Sequence, residues 1–166
     1  MPGSRTTEPP DPSSLEIRRI LLASEGRAIP ADAIELVARL AGPRRAAVNV
    51  FSIARVHGTA YGFPSPGLLP NKREWQEQRD LVAKAVKALR KQGLEAEGEV
   101  VGTRKAAARI CEQAKRLDCD VIVMAADPPR NRVVADFMWT QEPYRVRRRS
   151  KLPVYLVPDR SVDRPG

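Results

Sequence analysis

Val121-Ile122-Val123-Met124-Ala125 is an unbroken apolar run fenced by Asp120 and Asp127. A strand with one face in water alternates polar and apolar residues; a run without that alternation belongs to a strand covered on both faces, as in the middle of a parallel sheet. Upstream, Ile20, Leu21 and Leu22 repeat the pattern within residues 17–23, behind Arg18 and Arg19, and predict a second central strand. Residues 46–53 (AAVNVFSI) read as another strand. Residues 94–101 read as a weaker one in which Glu95, Glu97 and Glu99 fall on one side, a polarity that suits a sheet edge because it discourages pairing with other chains. Residues 153–158 (PVYLVP) form a last strand bounded by prolines, which have no N–H for the interior of a ladder.

Between these runs the apolar period changes from strand to helix. Ile34, Val37, Ala38 and Ala41 recur at i, i+3, i+4 and i+7, with Pro30 suited to the first turn and Gly42-Pro43 to the stop. Residues 72–91 carry Leu81, Ala85, Ala88 and Leu89 on one face, with Trp75 placed on the same inner stripe and Gly93 as terminator. Ala107, Ile110, Cys111, Ala114 and Leu117 make a third stripe, which assigns Cys111 a place as a small core residue. A fourth helix is expected over residues 140–149, where Pro143 fits only the first turn. Residues 55–71, broken by Gly and Pro, read as a long loop that carries the single histidine, His57. Strict alternation of strand and helix predicts an α/β fold: one doubly wound parallel sheet with helices on both faces.

The chain has 166 residues, the size of one domain. Residues 1–15, rich in Pro, Ser and Thr without apolar period, are expected to be a disordered leader; residues 16–159 are the folded domain and residues 160–166 a flexible tail. Cys111 and Cys119 match neither a disulfide framework nor a zinc spacing, which fits a reducing cytoplasm. No apolar run approaches the roughly 20 residues needed to cross a bilayer, and the N-terminus has no apolar signal core. The net charge of +9 lies mostly in the C-terminal half, where 18 Lys and Arg stand against 11 Asp and Glu from residue 81 onward. Such a surface attracts polyanions without specifying one.

Three stretches resemble the universal stress protein family, and together they span almost all of the foldable chain. Ile20-Leu-Leu-Ala-Ser-Glu-Gly26 is similar to the family's opening strand and Asp-Gly turn, with Glu25 where the family usually has Asp. Val101-Gly102-Thr103, leading into Ala106-Ala-Ala-Arg-Ile110, looks like its Gly turn before the third helix. Asp120-Val-Ile-Val-Met124 and Pro153-Val-Tyr-Leu-Val157 are similar to its paired fourth and fifth strands. The resemblance implies a five-stranded parallel sheet in the order 3-2-1-4-5, Rossmann-like and akin to the adenine nucleotide alpha hydrolases. It also implies a homodimer joined through the last strand, at Val154, Tyr155, Leu156 and Val157, which would otherwise leave an apolar edge exposed.

In an open parallel sheet a ligand binds beyond the carboxyl ends of the strands where strand order reverses, which in this order falls after strands one and four. The expected lining is Ser24, Glu25, Gly26 and Arg27, then Ile53 and Ala54, then Ala125, Asp127, Arg130 and Arg132. ATP-binding members of the family carry spaced glycines after strand four, whose N–H groups approach phosphate closely. This chain has Ala125 and Pro128 there when counted from the strand, and Thr140 and Gln141 in place of the family's Gly-Ser pair when counted back from Pro153. Pro128 and Pro129 have no N–H to donate and Asp127 repels phosphate, so the phosphate cradle is expected to be lost. Arg130 and Arg132 either hold an anion through guanidinium forks or are solvated loop charges. Glu25 either accepts hydrogen bonds from a ribose or adenine, as the matching family Asp does, or favours the N-terminus of the following helix.

His57 has no serine or cysteine in a nucleophile motif to serve and reads as a loop histidine; Trp139, beside Phe137 and Met138, reads as a lid or a self-contact. The chain is therefore expected to be a cytoplasmic, dimeric, non-catalytic stress-response or regulatory protein with no cofactor and no metal, acting on a small molecule or a protein partner. The alternative is a divergent binder of ATP, AMP or cyclic AMP with at most slow hydrolysis, Mg2+ entering only with the nucleotide. Association with nucleic acid through Arg145, Arg147, Arg148, Arg149 and Lys151 ranks below both, because only Tyr144 interrupts the basic cluster with an aromatic ring.

Overall fold

The computed structural model describes residues 9–55, 72–127 and 141–160. In chain order the elements are β1 (Arg19–Ser24), α1 (Ala31–Ala41), β2 (Ala47–Arg55), α2 (Lys72–Lys91), β3 (Ala96–Thr103), α3 (Ala106–Arg116), β4 (Val121–Ala126), α4 (Glu142–Arg149) and β5 (Val154–Pro158). The strands form a 5-stranded sheet in the order β3-β2-β1-β4-β5, and every neighbouring pair is parallel. This is the fold class and the order that the sequence and its resemblance imply. β1 is the hinge of the topology: Leu22 lies opposite Val50 of β2 on one side and Val123 of β4 on the other.

Alternation along β1 feeds two separate cores. Ile20 and Leu22 join Val48, Val50, Val121 and Val123 beneath α1 and α2, whereas Leu21 and Ala23 join Phe51, Ile53, Ile122 and Met124 beneath α3 and α4. Each of these Leu, Ile and Val side chains contributes about 1.5–3 kcal/mol through burial. β1 and β4 are buried along almost their whole length, as unbroken apolar runs require, and β3, with Glu97 and Glu99 exposed, forms one edge.

The helical stripes are rotated from those the spacing predicts. In α1 the buried residues are Ala33, Val37, Leu40 and Ala41, while Ile34 and Ala38 are only half-buried. The small side chains of Ala33 and Ala41 bring the helix close to the sheet, and the bulkier Ile34 sits at the margin of the contact. In α2 the buried face is Val82, Ala85, Val86 and Leu89, so Leu81 and Ala88 lie on its flank. Trp75 is half-buried under the guanidinium of Arg79, 5.8 Å from its ring centroid, rather than in the core. In α3 the polar Gln113 is buried in addition to Ala107, Ile110 and Ala114; its amide donates to Glu99 Oε2 at 2.7 Å and ties the helix to edge strand β3. Cys111 is half-buried, with its thiol raised by burial.

β2 extends to Arg55, past the Ile53 at which its apolar run stops, because its neighbours continue the ladder to Arg55 opposite Thr103. α4 begins at Glu142 with Pro143 in its first turn, and Ser150 follows as cap. Ahead of β1, Asp11 caps a short 3-10 turn (Pro12–Ser14), Arg44 Nη2 donates to the Pro12 carbonyl at 2.8 Å, and Tyr155 Oη donates to the Pro10 carbonyl at 2.6 Å. Residues 9–15 are therefore tied to α1's end and to β5. No helix among the described residues is long and apolar enough to cross a membrane. His57 and Trp139 lie outside the described residues.

Candidate functional site

The order reversal around β1 puts the position where such sheets bind ligands beyond the carboxyl ends of β1 and β4. At the end of β1 the chain turns through Gly26, whose φ of +125° is one that a Cβ-bearing residue rarely adopts. Ser24 closes the turn from both sides: its Oγ accepts the Gly26 N–H at 3.1 Å and donates to the Arg27 carbonyl at 2.6 Å. Two neighbouring elements fix the backbone of the turn from below. Arg55 Nε, at the end of β2, donates to the Glu25 carbonyl at 2.9 Å, and Gln78 Nε2, on α2, donates to the Gly26 carbonyl at 2.9 Å. Gln78 is itself held by Ser52 Oγ at 2.6 Å.

This turn directs Arg27 back across the strand ends. Its Nε donates to Glu25 Oε1, and its Nη1 reaches Asp127 Oδ1 at 3.0 Å and Asp159 Oδ2 at 3.4 Å. One guanidinium thus joins carboxylates from the ends of three strands, β1, β4 and β5. The planar fork of arginine suits this, since it presents several donors in fixed directions. Asp127 and Asp159 are neighbours because Ala126 and Pro158 are paired in the β4–β5 ladder, and the Asp159 N–H donates to the Ala126 carbonyl at 2.8 Å. Tyr144 Oη, from α4, donates to the Asp127 carbonyl at 2.7 Å and closes the remaining side.

Glu25 is 1% exposed, and its Oε2 is buried without a hydrogen-bond donor among the described residues. Burial raises its carboxyl above the ordinary range despite the opposing attraction and hydrogen bond of Arg27. Burial works against the charge on Arg27 as well, but its bonds to Glu25 and Asp127 outweigh that and raise its value, so the guanidinium stays charged. Arg55, half-buried, is lowered to about 10 by desolvation, to which the charge of Arg27 adds.

The structure thus brings together Ser24, Glu25, Gly26, Arg27 and Asp127, with Ile53 and Ala125 buried in the strands beneath them. Gln141 stands at the head of α4, where its carbonyl accepts the Arg145 N–H at 2.9 Å. Arg130, Arg132 and Thr140 lie outside the described residues. Asp159, Arg55, Gln78 and Tyr144 are participants that the sequence reading did not name. Asp159 had a legible signal, since it follows β5 as Asp127 follows β4; the other three reach the crevice through packing across elements.

Chemically, the centre of the crevice is filled by the protein's own guanidinium and ringed by carboxylates. A phosphate entering there would meet Asp127 and Asp159 and would have to displace charge-assisted hydrogen bonds. The hydroxyls of Ser24 and Ser52 are both committed as donors to neighbouring acceptors. Among the described residues no group of His, Cys, Asp and Glu is arranged to hold a metal ion.

The sequence profile of the universal stress protein family matches residues 16–158. No curated protein matches the chain. Among solved structures, a universal stress family protein from Burkholderia pseudomallei superposes with a TM-score of 0.64 at 19% identity, covering 87% of this chain and 98% of that one. The universal stress protein from Archaeoglobus fulgidus in complex with dAMP gives 0.60 at 18% identity, with 86% and 98% covered. A universal stress protein in complex with cAMP gives 0.59 at 16%, with 86% and 97% covered.

Proposed function

Because this chain belongs to the universal stress protein family, we propose that it acts as a non-catalytic regulatory member in which Arg27 takes the place of a ligand at the crevice. The observation that carries this reading is the single guanidinium spanning Glu25, Asp127 and Asp159. An internal cation that satisfies the carboxylates at the switch point makes the site self-sufficient, and the surrounding negative charge disfavours a nucleotide's phosphates. Regulation then proceeds through surfaces. The protein is cytoplasmic and pairs with a second copy along the open edge of β5, where Tyr155 and Leu156 remain half-buried while Val154 and Val157 are already buried within their own chain. A protein or small-molecule partner receives the signal, and no cofactor is required.

One observation favours a second reading. Glu25 Oε2 is a buried acceptor lacking a donor among the described residues, and an adenine amino group or a ribose hydroxyl would supply one if Arg27 swung aside. Two of the superposed structures are described as complexes with dAMP and cAMP. Isothermal titration of the protein with ATP, ADP, AMP and cyclic AMP, with and without Mg2+, separates the two. The self-occupied crevice gives no heat with AMP or cyclic AMP, which carry a single phosphate, at millimolar ligand. Micromolar binding of either would overturn it in favour of the second reading, which further expects Arg130→Ala with Arg132→Ala to abolish that binding.

A further inference from the structure

On the α3–α4 side of the sheet lies a cavity of about 440 Å3, whose described lining shares no residue with the Arg27 network. Five cationic side chains line it: Arg104 and Lys105 from the turn before α3, and Arg145, Arg148 and Arg149 from α4. The three from α4 sit at i, i+3 and i+4, so they project from one helical face toward the two that α3 brings across. Like charges at these spacings repel, a cost that the negative C-terminal end of α4 offsets only in part, and the apolar contact of α4 is made by Pro143, Tyr144 and Val146 instead. Elsewhere Arg18, Arg27, Arg73, Arg109, Arg116 and Arg160 each face a carboxylate. In the groove Arg145 alone is paired among the described residues, with Glu142 at 2.8 Å.

Glu142 shows what the groove attracts. Its other carboxylate oxygen accepts the Ala107 N–H at 3.1 Å, in the first turn of α3, so the chain's own anion already sits at the inner wall of the groove. With both oxygens engaged, Glu142 bonds α4 to the start of α3 and leaves Arg104, Lys105, Arg148 and Arg149 without a carboxylate partner among the described residues.

We propose that this groove is a binding site for a compact oligophosphate: several linked or clustered phosphates, free or carried on a small molecule. Three features select that chemistry. Guanidiniums bind phosphate oxygens in pairs and are weakly hydrated, which suits closely spaced phosphates better than a single carboxylate. The volume is that of a small-ligand site. Its lining includes Ala107 and Ala108 and, among the described residues, no aromatic ring for a base to stack on, and the nearby Tyr144 is buried, with Arg147 5.5 Å over its ring.

The test is calorimetric titration with inorganic tripolyphosphate, with sulfate and with a short oligo-dT strand, at low and high salt, using the full chain. The expected result is tripolyphosphate binding that weakens as salt rises, exceeds sulfate binding, and falls about tenfold or more in the double variant Arg104→Gln/Arg148→Gln. The variant Lys84→Gln/Lys87→Gln removes the same charge from the exposed face of α2 and keeps wild-type affinity. Thermal melts check that the groove variant is folded; its Tm stays level or rises as repulsion is relieved. No tripolyphosphate binding at low salt overturns the proposal, and so does equal weakening in the α2 variant, which would reduce the effect to net charge. Tighter binding of oligo-dT than of tripolyphosphate, lost in the groove variant, overturns it in favour of nucleic acid.

Discussion

Replacing Arg27 by Met keeps most of the aliphatic stem and removes the guanidinium that joins Glu25, Asp127 and Asp159. Glu25, 1% exposed, is then a buried carboxylate left with the more weakly acting Arg55 as its cationic neighbour. Removing one partner of a buried ion pair costs about 3–5 kcal/mol. The Arg27 side chain keeps 17% of its exposure and Glu25 is already displaced toward its neutral form, so the low end applies. We expect a loss of about 3 kcal/mol at about pH 7, equivalent to a Tm lowered by about 9 °C for a chain of this size.

The pH dependence is the sharper part of the prediction. The folded protein raises the carboxyl of Glu25, so the stability this group contributes is complete below its unfolded value and is lost as pH rises through its folded value. Without Arg27 its attraction and hydrogen bond, the largest influences opposing the rise, are gone, and the folded value moves higher still. The variant therefore loses stability over a wider span of rising pH than the wild type, and acidification to about pH 5 narrows the gap. Urea unfolding followed by circular dichroism at both pH values measures this directly. A deficit equal at the two pH values would refute the role of Glu25, and one below about 1 kcal/mol at neutral pH would reduce the network to an ordinary surface ion pair.

Two further predictions rest on separate observations. Gly26→Ala places a Cβ 2.9 Å from Arg55 Nε and 3.2 Å from the Ile53 carbonyl, at a φ of +125°; a loss of about 2 kcal/mol is expected, seen as a Tm lowered by about 6 °C, and an unchanged melt would show that the turn relaxes freely. Leu156→Lys puts a charge on the half-buried edge of β5 and is expected to convert the proposed dimer to a monomer in sedimentation while leaving the fold intact by circular dichroism; a variant that sediments as the wild type does would remove β5 from any interface.

Much of the fold is legible in the residues because burial on two faces leaves a distinctive pattern. The runs at 20–22 and 121–125 can be satisfied only between two layers of helix, and they occupy the middle of the sheet. The stripes of α1 and α2 are less legible: several apolar arcs fit the same spacing, and the one that faces the sheet is chosen by which small residues permit close approach. Gln113 is the instructive case. Its polarity places it outside any apolar stripe, yet its hydrogen bond to Glu99 satisfies it when buried.

The local turn chemistry of the crevice is likewise written in the chain. Ser24, Glu25 and Gly26 follow a buried strand, and an abrupt turn there needs a residue tolerant of positive φ. Alternation of strand and helix fixes a doubly wound α/β class, because each element must bury one apolar face against a neighbour of the other kind. The destination of Arg27 is different in kind. A long side chain can reach many partners, and which it meets depends on the order in which β4 and β5 are laid beside β1, bringing Asp127 and Asp159 to one guanidinium from positions far along the chain. The basic groove has the same origin: spacing puts Arg145, Arg148 and Arg149 on one helix face, but only the packing of α4 against α3 sets them opposite Arg104 and Lys105. Periodicity is a local consequence of burial and is carried by the sequence; which charges face one another is a consequence of packing and exists only once the chain has folded.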